Sequence, residues 1–349
     1  MPPPTSRRPA LDGLRGLAVL AVFASHTGLP GTDGGWIGVE IFFVLSGYLI
    51  TGLLLREWNS TQKINFLQFY RRRLLRLYPA LLALLAIGLV FYRQLGDGGT
   101  LAGYARSAGA AAFYVQDFVA GFSGAHGGFG HTWTLAVEEQ FYLLWPPLLF
   151  LLIRKNLAVA KVALLGIGLS LVATFFFADD SPIPNAYWLP WTHCAALLAG
   201  CALAARPIAI GNRAAHLLGV TSLVGLAGLL IAAHTFSRHH YLLPEIFAAA
   251  LLSCGLVAAV EASPTSLTAR VLSYRPLAYV GLISYSLYLY SVTIFLLPAF
   301  LPLGRSANAV VALAAAFGCA ALSYRYIERP FLALGRRQPA PASASATTR

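Results

Sequence analysis

Residues 36–55 read WIGVEIFFVLSGYLITGLLL, a run of 20 residues that contains one charged side chain, Glu40. About 20 mostly apolar residues are enough for a helix to cross the hydrocarbon core of a bilayer. The rest of the chain has the same character, since 58% of its residues are hydrophobic and 11% are charged. Soluble globular proteins average roughly 45–50% and 25%. The composition therefore predicts an integral membrane protein.

Ten stretches of this kind predict an all-α fold, a polytopic membrane bundle of about ten transmembrane helices. They lie near residues 10–29, 36–55, 75–93, 132–153, 159–178, 189–205, 214–234, 241–260, 277–300 and 306–325. An eleventh stretch, residues 103–120, is weaker because Arg106, Gln116 and Asp117 interrupt it.

The chain divides into two parts by composition. Residues 1–337 hold all the apolar stretches and are predicted to form one transmembrane domain. Residues 338–349 are small, polar and proline-bearing, which is typical of a disordered tail.

The basic residues predict the orientation of the bundle. The chain has 25 Lys and Arg against 13 Asp and Glu, a formal net charge of +12. Cytoplasmic loops are enriched in Lys and Arg. Ten crossings from a cytoplasmic N-terminus place 21 of the 25 basic residues inside, whereas a crossing at residues 103–120 would leave 11 inside and 14 outside. We therefore predict that both termini are cytoplasmic and that residues 103–120 do not cross.

The same placement accounts for the positive net charge, because the basic residues lie in loops on the cytoplasmic side of the bilayer. A nucleic-acid partner is therefore not expected. Arg outnumbers Lys 22 to 3, which hints at a GC-rich bacterial genome and a bacterial plasma membrane. The four cysteines lie in apolar runs without metal-ligand spacing, so neither a disulfide framework nor a metal site is expected. The sequence does not fix an oligomeric state.

The first predicted helix carries two ionisable side chains at membrane depth, where such groups are functional candidates. His26 follows Arg15 by eleven positions. At 100° per residue the two lie within about 20° of each other around the helix and about 16 Å apart along it. One face of the helix thus carries the Arg15 guanidinium at the cytoplasmic end and the His26 imidazole in the outer half. The alternative is that His26 is a packed or interfacial histidine.

Glu40 begins the second predicted helix after a loop of about six residues, which makes the first two helices antiparallel neighbours. We expect Glu40 near the depth of His26, where a carboxylate could orient the imidazole and favour its protonated form. The alternative is that Glu40 faces water at the outer interface.

Basic residues lead into the third predicted helix. Arg73 and Arg76 are three residues apart and face the same way. Two guanidinium groups on one face suit a polyanionic ligand, because Arg can pair with phosphate through two hydrogen bonds. The alternative is contact with anionic lipid, which we prefer for Arg71 and Arg72.

The fourth predicted helix carries adjacent carboxylates, Glu138 and Glu139. They lie about 100° apart, so at least one points into the bundle. Glu138 also forms an i, i+4 pair with Tyr142. His193 and Glu245 lie near helix ends with no polar companion in sequence and are interpreted as structural.

These segments resemble the acyltransferase-3 family of multi-pass membrane acyltransferases. Members O-acylate cell-envelope polysaccharides, peptidoglycan, nodulation factors and macrolide sugars. The matching segments follow the family's order over nearly the whole chain: residues 11–16 with His26, then 38–47, 73–79, 133–142, 283–289 and 324–331.

The resemblance implies roles for individual residues. His26 would be the catalytic histidine and Arg15 its companion on the first helix. Arg73 and Arg76 would belong to the donor-binding motif, and Glu138 would be the carboxylate of the fourth segment. We predict His26 and Glu138 as catalytic residues. The predicted substrate-binding residues are Arg15, Arg73, Arg76, Glu40, Trp133 and Tyr142.

The sequence departs from the family pattern at two places. Tyr290 and Ser291 stand where relatives often have Trp-His, and His193 stands where an arginine is common. The resemblance also leads us to expect a chain without the extracytoplasmic esterase-like domain that is fused to some relatives.

The resemblance implies transfer of an acyl group, often acetyl, from acyl-CoA to a hydroxyl of a sugar on a glycan or glycosylated metabolite. Acyl-CoA would be a co-substrate, and no permanently bound cofactor is expected. His26 would act as general base or as a transient acyl carrier. The alternative is a membrane transporter or flippase of a sugar-containing substrate, whose polar midplane residues would look similar.

Overall fold

The computed structural model describes residues 8–26, 31–124, 127–177, 185–232, 239–292 and 304–336. Regular structure in these ranges is helical, with no strand. The α-helices are α1 (Pro9–Ser25), α2 (Ile37–Thr61), α3 (Phe66–Gly88), α4 (Tyr92–Leu95), α5 (Leu101–Ala112), α6 (Gln116–Ser123), α7 (Trp133–Arg154), α8 (Val159–Phe177), α9 (Asn185–Trp188), α10 (Pro190–Ala205), α11 (Asn212–Ala232), α12 (His239–Ala262), α13 (Leu267–Leu272), α14 (Arg275–Leu282), α15 (Ser284–Leu289), α16 (Arg305–Ser323) and α17 (Arg329–Arg336).

Short turns join several of these helices. The 3₁₀ turns are Asp33–Trp36, Leu89–Phe91, Asp97–Gly99, Gly130–Thr132 and Tyr290–Val292, and a π-helical turn covers Tyr324–Glu328. The predicted disordered tail, residues 338–349, lies outside the described residues.

Seven helical segments within the described ranges are long and apolar enough to cross a membrane. They are Asp33–Thr61, Phe66–Leu95, Gly130–Arg154, Val159–Phe177, Asn212–Ala232, Pro244–Ala262 and Ser306–Gly335. The fold is therefore the predicted helical membrane type, but the count of about ten spans is not confirmed.

The other three predicted spans differ for separate reasons. The helices α1 and α10 have 17 and 16 residues, slightly short for a span of typical length. The predicted span at residues 277–300 is not one helix, because α14 ends at Leu282 and α15 begins at Ser284 with Ile283 between them. Residues 293–300 of that prediction lie outside the described residues.

The stretch at residues 103–120 is also broken. Tyr114, with a φ of 53°, separates α5 from α6, and these helices have 12 and 8 residues. Gln140 of α7 holds the break in place: its Nε2 donates to the Tyr114 carbonyl at 2.9 Å and lies 3.0 Å from Asp117 Oδ2. Neither helix is long enough to cross, in agreement with the charge distribution.

The directions of α2 and α7 support the same conclusion. Ser46 of α2 contacts Glu138 of α7, and further along both helices Trp145 Nε1 donates to Thr51 Oγ1 at 2.8 Å. The two helices therefore run parallel. Since α3 returns the chain to the starting end of α2, the segment between α3 and α7 makes no net crossing.

Close packing of α2 on α10 fixes the rotation of both helices. A Cβ atom added to Gly47 would lie 1.8 Å from the Leu197 carbonyl oxygen, and one added to Gly200 would lie 2.1 Å from that of Val44. The two backbones thus touch where only glycine fits, as small residues allow in membrane bundles. This contact sets which α10 side chains face α2.

Candidate active site

Three adjoining cavities run through the bundle and contain most of the predicted site residues. The arginine cavity has a volume of about 680 Å³ and lies where α1 begins and α2 ends. The histidine cavity, of about 440 Å³, lies at the opposite end of α1 beside His26. Between them is the middle cavity, of about 70 Å³, which is room for a few waters.

The arginine cavity is lined by five guanidinium side chains, and no carboxylate in the described ranges lines it. These side chains are Arg15, Arg56, Arg72, Arg73 and Arg76. Each can donate several hydrogen bonds to phosphate oxygens. The cavity is therefore suited to a ligand that carries several phosphate groups.

Arg73 is held by an aromatic ring rather than by a carboxylate. Its Cζ lies 3.6 Å from the centroid of the Tyr142 ring. Within the described residues its Nε has no hydrogen-bond partner, although that atom is shielded from solvent. Stacking orients the guanidinium and leaves donors available for a ligand.

The middle cavity brings three of the five arginines close to a carboxylate. It shares Arg15, Arg73, Arg76 and Tyr142 with the arginine cavity, and Glu138 is added to its wall. The predicted i, i+4 relation on α7 is present, since Tyr142 Oη lies 3.4 Å from Glu138 Oε1. Ser46 of α2 also donates to Glu138, which links the two helices at the cavity. Of the two adjacent carboxylates, Glu138 is thus the one that reaches this cavity.

His26 lies at the end of α1 and lines the histidine cavity. Its Nδ1 is 2.7 Å from the carbonyl oxygen of Val22, an atom that can only accept. Nδ1 therefore carries the hydrogen of the neutral ring, and Nε2 is the nitrogen that can take up a proton.

Aromatic side chains form one wall of the histidine cavity. Trp133, Tyr187 and Trp188 all line it. The Trp133 ring centroid lies 5.3 Å from that of Tyr187 and 5.4 Å from that of Trp188. The predicted substrate-binding residue Trp133 thus lies in the same cavity as His26.

Glu40 does not orient His26, contrary to expectation. Its Oε1 is 2.7 Å from Nδ1 of His193 on α10, and both side chains are fully buried. The other ring nitrogen of His193 lies 2.7 Å from the Tyr187 carbonyl oxygen. Glu40 lines none of the three cavities, so the geometry gives no support to its predicted contact with substrate.

The sequence did not reveal that His193 pairs with Glu40. Glu40 and His193 are 153 residues apart, so neither appears beside a polar companion in the sequence. The one feature of the sequence that could have indicated this pair is that both residues are ionisable and lie near the start of an apolar helix. His193, interpreted from the sequence as structural, is one half of a buried histidine–carboxylate pair.

Glu328 is a second buried carboxylate whose partners the sequence did not reveal. Ser286 of α15 donates to Glu328, and its Oγ is 2.9 Å from Oγ of Ser323. Glu328 is 3% exposed and ends the π-helical turn that follows α16. Such turns re-aim side chains and often occur near functional sites.

Tyr288 and Val39 line both the middle and the histidine cavity, so these two side chains separate them. The hydroxyl of Tyr288 accepts from Thr134 Oγ1 at 2.7 Å and donates to the His131 carbonyl. The tyrosine is therefore fixed between the two cavities.

The fold and cavities define a multi-pass helical membrane protein with a basic cavity at one end and a histidine cavity at the other. The chain belongs to the acyltransferase-3 family: the family model described as an acyltransferase domain matches residues 8–325.

Two relatives illustrate what the chain resembles. It is 32% identical to the peptidoglycan O-acetyltransferase OatA of Listeria monocytogenes over 92% of this chain and 55% of the relative. It is 35% identical to the O-acetyltransferase OatA of Staphylococcus aureus over 82% of this chain and 51% of the relative. The chain thus spans about half the length of these relatives. No solved structure matches it.

Proposed function

We propose that this chain is a membrane O-acyltransferase that moves an acetyl group from acetyl-CoA to a hydroxyl of a peptidoglycan sugar. The observation that carries the proposal is the line of cavities from five arginines to His26. Membership of the acyltransferase-3 family supports the reaction type. A relative named for peptidoglycan O-acetylation supports the acceptor.

The arginine cavity binds the phosphate groups of CoA in this proposal. Arg73 and Arg76 lie where it meets the middle cavity, so they hold the donor at the point from which its thioester extends inward. The distance from Arg15 to His26 along α1 is about 16 Å, which the extended pantetheine arm of CoA can bridge. The middle cavity is too small for the nucleotide, which would stay in the arginine cavity.

Glu138 is the second proposed catalytic residue. Among the described residues, it is the carboxylate that lines the middle cavity, where the thioester would pass. Its contacts with Ser46 and Tyr142 hold it in that wall. Tyr142, which contacts Glu138, is also the ring on which Arg73 stacks. In the proposal, this contact links the arginine that binds the donor to the carboxylate beside the acyl group.

The sugar hydroxyl would attack from the histidine cavity, where aromatic rings can pack against the apolar face of a sugar. Nε2 of His26 takes the hydroxyl proton while the oxygen attacks the thioester carbonyl carbon. The new C–O bond forms and the C–S bond breaks. The CoA thiolate leaves and receives the proton from His26, which returns the enzyme to its starting state. Transient acylation of His26 is the second route to the same products.

The deciding experiment uses detergent-purified protein, acetyl-CoA labelled in the acetyl group, and soluble glycan strands of unacetylated peptidoglycan. We expect release of the CoA thiol together with transfer of the label to the glycan, and neither with the His26→Ala variant. A transporter or flippase would release no thiol. Thiol release without label on the glycan would support acetyl-CoA as the donor but would contradict peptidoglycan as the acceptor.

A further inference from the structure

Among the described residues, two polar side-chain atoms beside His26 have no hydrogen-bond partner. Trp36 and His131 both line the histidine cavity. Within the part of the chain that the structure describes, Trp36 Nε1 and His131 Nδ1 make no hydrogen bond, although both atoms are shielded from solvent. A buried polar atom without a partner is destabilising, and its presence calls for an explanation such as a ligand.

One of these atoms is a donor and the other an acceptor. An indole nitrogen can only donate. Nε2 of His131 lies 3.2 Å from the carbonyl oxygen of Leu289, which can only accept, so Nε2 carries the hydrogen. The neutral ring then presents a lone pair at Nδ1. Two residues that line the cavity therefore carry one N–H group and one unprotonated nitrogen that make no hydrogen bond to the described residues.

Both residues are fixed by the starts of long helices. Trp36 ends the 3₁₀ turn that leads into α2 and is 5% exposed. His131 lies in the 3₁₀ turn that leads into α7, and its carbonyl accepts from Tyr288. A site formed by such rigid elements needs little ordering when a ligand binds.

We propose that Trp36 and His131 bind the acetamido group of an N-acetylated acceptor sugar. The amide carbonyl accepts from Trp36 Nε1, and the amide N–H donates to His131 Nδ1. The methyl group has an apolar surface available in the aromatic wall of Trp133 and Trp188, which line the same cavity. The inference rests on the proposed function, because it names the group by which that acceptor is recognised.

The test compares two sugar tetramers of equal length and linkage, β-1,4-linked N-acetylglucosamine and β-1,4-linked glucose, by calorimetry on the purified full chain. The two probes differ in the acetamido group. We expect the wild-type protein to bind the N-acetylated tetramer at least about tenfold more tightly, as two hydrogen bonds of ordinary strength provide.

Two substitutions should weaken this preference about threefold to tenfold each, and together they should abolish it. Trp36→Phe removes the N–H group and keeps the aromatic ring. His131→Gln keeps a donor for the Leu289 carbonyl and removes the acceptor at the Nδ1 position. His131→Asn, which places an amide oxygen near that position, should restore part of the preference.

Trp191→Phe is the matched control. Its Nε1 is also without a partner in the described ranges, but Trp191 packs against Phe177 and lines none of the three cavities. This variant should keep the wild-type preference.

Equal binding of the two tetramers by the wild-type protein, or binding of neither, would overturn the inference. So would a preference that survives both Trp36→Phe and His131→Gln. Acetyl transfer is measured on the same preparations. Absence of transfer together with the expected preference would overturn the proposed function and leave the acetamido site standing.

Discussion

Nδ1 of His193 and Oε1 of Glu40 lie 2.7 Å apart between α10 and α2, and neither side chain reaches solvent. Both His193 ring nitrogens face oxygen atoms, one from Glu40 and one from the Tyr187 carbonyl. This buried histidine–carboxylate pair holds two helices together next to the aromatic wall of the histidine cavity. Trp133 is the link, since its ring centroid lies 4.8 Å from that of His193.

The first prediction concerns the two halves of this pair. His193→Ala should lower the free energy of unfolding by about 1–3 kcal/mol, because it leaves the buried Glu40 side chain without its hydrogen-bond partner. Glu40→Ala should be less destabilising, because His193 keeps its hydrogen bond to the Tyr187 carbonyl. The double variant should lose less stability than the sum of the single variants. Unfolding curves of the purified proteins test this order, and equal small effects would contradict it.

The second prediction concerns His26 as general base. His26→Ala should reduce turnover by about 10²-fold or more while acyl-CoA binding persists, because base catalysis contributes about 10² to 10⁴. His26→Gln should be nearly as inactive, since it retains hydrogen bonding but cannot accept a proton near neutral pH. Steady-state kinetics with a separate measurement of CoA affinity test both variants. Substantial activity in the Gln variant would make Glu138 the better candidate, because Glu40 is already paired with His193.

The third prediction concerns the donor site. Arg73→Ala combined with Arg76→Ala should weaken acyl-CoA binding strongly, since each charge-assisted phosphate contact contributes roughly 1.5–3 kcal/mol. Arg71→Ala is the matched control, because Arg71 belongs to the same helix but lines none of the three cavities. Calorimetric titration with CoA measures both. Unchanged affinity in the double variant would assign these arginines to lipid contact.

The fourth prediction concerns orientation in the membrane. Reporter fusions should place residues 154–161 and the C-terminal tail in the cytoplasm, because this arrangement puts 21 of 25 basic residues inside. The parallel course of α2 and α7 requires residues 103–120 to make no net crossing, as this arrangement assumes. An extracytoplasmic C-terminus would contradict the orientation.

The sequence predicts contacts within one helix better than contacts between helices. The placement of Arg15 and His26 along one path follows from the 3.6-residue period, and the relation of Glu138 to Tyr142 follows from i, i+4 spacing. Both are present in the structure. The period of a helix fixes which of its own residues share a face, but it carries no information about which neighbour that face meets.

The pairing of Glu40 with His193 depends on the rotation of α2 against α10. That rotation is set by close backbone contacts such as the one at Gly47, which no periodicity reveals. The break at Ile283 was likewise hidden, because the residues on both sides of it are apolar enough for one continuous span. A long apolar run therefore does not show where a helix ends inside it.

A membrane protein that is hollow from both ends risks dissipating the ion gradients on which its cell depends. Here the hollow is interrupted at Tyr288 and Val39, and the tyrosine is tied on both sides to neighbouring backbone and side chains. In the proposed reaction, the acetyl group and the end of the pantetheine arm that carries it reach this partition. The nucleotide would stay on one side of the partition and the polymer on the other. The acetyl group would therefore be transferred across the permeability barrier without opening a continuous channel.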